Sequence, residues 1–135
     1  MDERGQVTVL ILGFLMIVLA TVGVAVDGTR AFMHRRALQN AADAAVLAAA
    51  GEIDTGLYYE SGGRVISLQR RAAHEVAASW LRARRVTGAA TLRVDASRVT
   101  LVVRDRITPG FLGLLGIKDL PVAVEAVAEP VPGSP

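Results

Sequence analysis

The side chains in this sequence that could do chemistry are few and scattered. His34 and His74 lie forty residues apart, and neither has a carboxylate or second imidazole at ligand spacing along the chain. Glu75 directly follows His74, so on a helix the two point to different sides and do not build a metal site. Ser61 and Ser67 lack the strand-turn-helix setting that exposes a nucleophilic serine. Gly62-Gly63 lacks the lysine and the strand-to-helix context of a phosphate loop. The chain has no Cys, which removes disulfides and thiolate metal sites. No catalytic residue, metal site or cofactor is therefore named, and enzymatic activity is not expected.

The polar group that stands out has a different character. Gln39, Asn40 and Asp43 sit inside RALQNAADAAVLAAAG, residues 36–51, a stretch otherwise dominated by Ala. On a helix Gln39 and Asp43, four apart, are surface neighbours, and Asn40 lies beside them. The small side chains let another helix or a sheet approach closely, and the trio adds a hydrogen-bonding stripe. The same spacing also suits a plain solvated stripe on an amphipathic helix.

What must position this trio is an apolar N-terminal segment. The chain has 135 residues, enough for one small domain, and is 52% hydrophobic with only 4% aromatics. Residues 6–26, QVTVLILGFLMIVLATVGVAV, carry no charge. A helix of that length spans roughly 30 Å, the thickness of a bilayer's hydrocarbon core. We read 1–26 as a leader and transmembrane helix. A cleaved secretory signal is the alternative, with Gly23 and Ala25 as small-residue cleavage positions. Against it stand the length of the run and the preceding Asp2, Glu3 and Arg4, which carry no net positive charge. Arg4 before the run and Arg30, Arg35 and Arg36 after it would, by the positive-inside rule, place the remainder in the cytoplasm. Thr21 and Ala25 are small enough for close helix association in a membrane.

The helical pattern continues past Val26. Ala31, Leu38, Ala42, Ala45 and Ala49 line one face, and Gly51 is a stop. Residues 6–50 are thus expected to form one helix of about 65 Å, half in the bilayer and half beyond it. Residues 52–64 read as a loop, with Tyr58-Tyr59 as its anchor. Residues 67–86 read as a second amphipathic helix. Ser67 is its N-cap, Leu68, Ala72, Val76 and Trp80 form its face with Ala73, Ala77 and Leu81 alongside, and Gly88 stands after its end. Residues 91–107 alternate as a β-hairpin about the Asp95-Ala96-Ser97-Arg98 turn, and 121–129 alternate as a third strand. Between them Phe111, Leu112, Leu114, Leu115 and Ile117 form an apolar patch, expected to be a lid on the small core. An exposed partner-binding or membrane-touching patch is the other reading. The expected class is α+β: a long N-terminal transmembrane helix, a second helix and a small three-stranded antiparallel sheet in a domain over 27–129, with a disordered tail over 130–135. A formal charge of +2 is too weak to suggest nucleic-acid binding.

The order of features from Arg4 to Ala50 resembles the N-terminal region of the TadE/TadG-like Flp pilus-assembly family. The residues that carry the likeness are Arg4-Gly5, the apolar run, Asp27 at its end, the basic stretch Arg30–Arg36, and Leu38-Gln39-Asn40-Ala41-Ala42-Asp43-Ala44-Ala45. The resemblance implies a single-pass, pseudopilin-like cell-membrane protein of a tight-adherence pilus or related secretion system, with an extracytoplasmic pilin-like domain. Its implied partners are the lipid bilayer, other membrane proteins of that apparatus, and further copies or other subunits through the N-terminal helix. Gly5 and Gln6 would flank a prepilin-type processing site, and Asp27, Leu38, Gln39, Asn40, Ala42, Asp43, Ala45 and Ala49 would form the signature and packing face. Leu10 stands where filament pilins carry a Glu five residues beyond the cut, which makes the chain more similar to TadG-like members than to a major pilin.

Overall fold

A computed structural model describes residues 3–130. The elements run α1 (Glu3–Ala50), α2 (Thr55–Glu60), α3 (Arg70–Ala83), β1 (Ala89–Val94), β2 (Val99–Ile107), α4 (Phe111–Leu114) and β3 (Leu120–Ala128). The class is α+β, with a three-stranded antiparallel sheet in the order β1-β2-β3. The tail expected to be disordered over 130–135 lies, from residue 131 on, outside the described residues. The chain divides into two compact units, one of Met1–Met33 with Arg106–Leu120 and one of His34–Asp105 with Pro121–Pro135.

In the first unit, α1 begins at Glu3 and runs uninterrupted through the uncharged stretch. Its large apolar side chains from Val7 to Val24 are exposed. The Thr21 hydroxyl donates to the Ile17 carbonyl at 2.8 Å, so this polar group is satisfied within the helix. The other part of the unit, 106–120, contains the single turn of α4. The apolar patch expected to be a lid presents most of its large side chains at the surface. Phe111, Leu114, Leu115 and Ile117 are all exposed.

In the second unit, Leu38, Ala41, Ala42, Ala45, Val46, Ala49 and Ala50 of α1 are buried. The sheet contributes Val99, Leu101 and Val103 from β2, and Val122, Val124 and Ala126 from β3. Those residues alternate with half-buried ones in β2 and with exposed ones in β3, as the two-residue period of a strand requires. β1 pairs with β2 from Ala89↔Arg104 to Val94↔Val99, and the turn closes with Asp95 N–H on the Arg98 carbonyl at 2.8 Å.

Three local expectations change. Residues 52–64 are not simply a loop, because Asp54 accepts the Leu57 N–H at 3.1 Å and caps the short helix α2. Ser67 is not the N-cap of α3. Residues 67–69 are held extended by Asp54 N–H on Ser67 O, Leu68 N–H on Ala96 O and Gln69 N–H on Glu52 O, and the helix starts only at Arg70. Its buried stripe is Ala73 and Ala77, while Trp80 lies at the surface under the Arg84 guanidinium, 5.5 Å from the ring centre. Gly88 does follow the helix, but the end itself moves. The helix closes earlier, with Val86 N–H on Leu81 O and Arg85 N–H on Arg82 O, and Arg85 takes the left-handed position at φ 54°. What requires a glycine at 88 is the neighbouring strand, since a Cβ there would lie 2.5 Å from the Arg104 carbonyl oxygen.

Candidate functional site

The candidate site is the stretch of α1 that carries the polar and small residues, taken unit by unit. In the first unit the key residue is Asp27, the first residue beyond the uncharged run. It is the one buried charged side chain among the described residues, with 2% exposure. Its Oδ1 accepts the Gly110 N–H at 2.9 Å and its Oδ2 accepts the Leu112 N–H at 2.7 Å. Both donors belong to the first turn of α4, whose N-cap, Gly110, has no side chain to do this work. Asp27 therefore caps α4 from 83 residues away in sequence. Orphan amides at a helix start need such an acceptor, and a carboxylate suits them best.

These contacts also set the charge of Asp27. The Leu112 N–H holds its carboxyl below the ordinary carboxylate value, helped by Gly110, Phe111 and the nearby Arg30 and opposed by burial. Asp27 is thus an anion at neutral pH, matched by donors. One turn earlier, Gly23 is buried under Phe111, and a Cβ at Gly23 would meet the Phe111 Cβ at 2.7 Å. The glycine is what lets the ring lie against the helix.

In the second unit the structure brings two of the polar trio together. Gln39 donates to Asp43 Oδ1 at 2.8 Å and also to the Glu125 carbonyl of β3 at 3.0 Å. The amide thus links the helix to an edge strand while its partner Asp43 stays exposed. Asn40 points elsewhere. It lines a hollow with His34, Ala37, Arg84, Arg85 and Asp105. Ala42, Ala45 and Ala49 have no solvent exposure, and Leu38 is buried beside them. A face of alanines with no free surface tolerates no larger side chain without movement.

Reasoning along the sequence missed one pairing. His34 Nε2 lies 2.9 Å from Asp105 Oδ2, although the two are 71 residues apart. No local spacing signals it; only the alternation that turns Asp105 inward at the end of β2 could have done so. Among the described residues no group of three or more His, Cys, Asp or Glu could hold a metal ion, and no buried side-chain N or O lacks a partner. Gly5 and Gln6 fall in the first turns of α1, and no Cβ contact is close at Gly5.

α1 is, among the described residues, a helix long and apolar enough to cross a membrane by length and composition. Residues 5–52 match the family model described as "Putative Flp pilus-assembly TadE/G-like". The match covers α1 from Gly5 to its end and supports a part in Flp pilus assembly; it does not separate TadE-like from TadG-like members. No curated protein and no solved structure matches the chain.

Proposed function

We infer that this protein is a single-pass, membrane-anchored, pseudopilin-like component of a Flp-type pilus assembly or related secretion apparatus. The observation that carries the reading is the family match over residues 5–52, which coincides with the helix that holds the apolar run, Asp27 and the alanine face. The exposed apolar side chains of Val7–Val24 support a lipid environment for that run, since in water such a surface has no favourable solvent. Its partners are then the bilayer, other membrane proteins of the apparatus, and a second copy or another subunit through the N-terminal helix. The domain over 27–129 faces outward and works by packing rather than by chemistry. Cleavage between Gly5 and Gln6 belongs to this reading only if the peptidase accepts Leu10 in place of the pilin Glu.

The test is removal of the gene from its host and its restoration in trans. Loss of surface Flp filaments, restored by the intact gene, is expected; normal filament number in the deletion would count against the reading. A second reading rests on Arg30, Arg35 and Arg36, which outnumber Arg4 across the apolar run. It makes the protein a membrane-tethered binding module with a cytoplasmic domain.

A further inference from the structure

The apolar patch around α4 meets the chain on one side only and is otherwise exposed, and its surroundings say what covers it. Between Arg106 and Lys118 lie eleven uncharged residues, ITPGFLGLLGI, 107–117. Phe111 rests on Gly23, inside the end of the uncharged run at Val26. Phe111, Leu112, Leu114 and Leu115 join Met16, Leu19, Ala20 and Val24 around one apolar hollow of about 280 Å³. Met16 is ten residues before Val26, which on a helix is about 15 Å, half of a hydrocarbon core. The patch thus lies at the level of the outer half of the proposed span. Leu114 is 85% exposed and Leu115 69%, so each lines the hollow with only part of its surface.

A segment at membrane depth must satisfy its own backbone. This one does so to a large extent. Asp27 takes the amides of Gly110 and Leu112, and the amides of Leu115, Gly116 and Ile117 donate to the carbonyls of Leu112, Gly113 and Leu112 at 3.1 Å. The charges come only at its two ends, Arg106 and Lys118, whose side chains are long enough to extend toward headgroups.

The geometry points to residues 107–117 as a re-entrant wedge that enters the leaflet beside the transmembrane helix, with lipid acyl chains against Leu114 and Leu115. The wedge rests on the reading that α1 crosses the membrane. It gives the protein a second membrane attachment, one that fixes the depth and tilt of the anchor through Asp27 and Phe111.

The test uses the full chain in phosphatidylcholine vesicles whose acyl chains carry bromine, a quencher of indole fluorescence. Trp80→Phe removes the single native tryptophan, and Leu114→Trp or, separately, Leu115→Trp reports on the wedge. Leu15→Trp, in the apolar run, is the control. The expected result is a loss of emission by bromolipid at Leu114→Trp and Leu115→Trp comparable with the control, and no quenching by aqueous iodide. Quenching of both wedge reporters by iodide, with the control still quenched by bromolipid, overturns the wedge and leaves the anchor standing. Protection from both quenchers, with the control quenched by lipid, also overturns it in favour of a protein neighbour such as a second copy. An iodide-quenched control overturns the anchor itself, and the wedge with it.

Discussion

Asp27 and Leu112 are joined by a 2.7 Å hydrogen bond that spans 85 residues of sequence, from the end of the apolar run to the first turn of α4. With Gly110 on the other carboxylate oxygen, one side chain satisfies two orphan amides. Asp27→Ala should release the turn. The amides of Gly110 and Leu112 should exchange with solvent about tenfold faster or more, as expected for losing a buried acceptor. Asp27→Asn, whose amide offers one acceptor oxygen, should fall between. Unchanged exchange in Asp27→Ala would show that the cap contributes nothing.

The same contact has a pH dependence whose sign follows from its cause. The folded carboxyl titrates below the ordinary value because the Leu112 amide favours its anion. The stabilisation is therefore fully present above the ordinary carboxylate value and is lost as pH falls through the lowered one. Exchange at Leu112, corrected for the intrinsic pH effect, should stay slow at neutral pH and through mild acid. It should rise only below the ordinary carboxylate range, and this acid-dependent rise should be absent in Asp27→Asn.

Gly23 and Phe111 make a steric prediction. Because a Cβ at Gly23 would meet the Phe111 Cβ at 2.7 Å, Gly23→Leu must push the ring off the helix. A cysteine pair at Ala20 and Leu115, both lining the apolar hollow, should crosslink less in that background than with Gly23 intact. Equal crosslinking would mean that the ring does not hold the turn in place.

Much of this architecture can be read along the chain, and the reasons are local. The 21 uncharged residues of 6–26, the alanine period from Leu38 to Ala49 and the two-residue alternation of Val99, Leu101 and Val103 are all patterns within one element. What sequence reading lacks is the contact between distant elements. Nothing near Asp27 signals Gly110, nothing near His34 signals Asp105, and the apolar composition of 111–117 favours core where the structure shows exposed side chains. Ser67 fails as a cap for the same reason, since strand-like contacts from Asp54, Ala96 and Glu52 override its local preference.

The polar trio separates by what each side chain holds. Gln39 reaches the Glu125 carbonyl, whereas Asp43 is exposed and meets only its neighbour on the same helix. Gln39→Ala should cost about 0.5–1.5 kcal/mol, and Asp43→Ala only about 0.2–0.5 kcal/mol. Denaturant midpoints of the two variants check this order. If Asp43→Ala loses pilus assembly at normal stability, its role lies with a partner and not with the fold.

Two substitutions probe the second unit further. Ala45 has no solvent exposure, so Ala45→Leu should destabilise by about 1–3 kcal/mol and lower the protein level. Arg85 sits at φ 54°, so Arg85→Gly should stabilise by about 1 kcal/mol. Thermal unfolding in detergent should move the midpoint down for the first variant and up for the second.

The central claim is that the apolar run anchors an outward-facing domain. It is tested most directly by a reporter active only outside the cytoplasm, fused after Pro135, with the N-terminus of the membrane-bound protein determined by mass spectrometry. An active reporter on a membrane-bound protein is the result expected; a chain beginning at Gln6 would mark pilin-type processing despite Leu10, and an intact one a fixed component. An inactive reporter on a membrane-bound protein places the domain in the cytoplasm and contradicts the outward-facing reading.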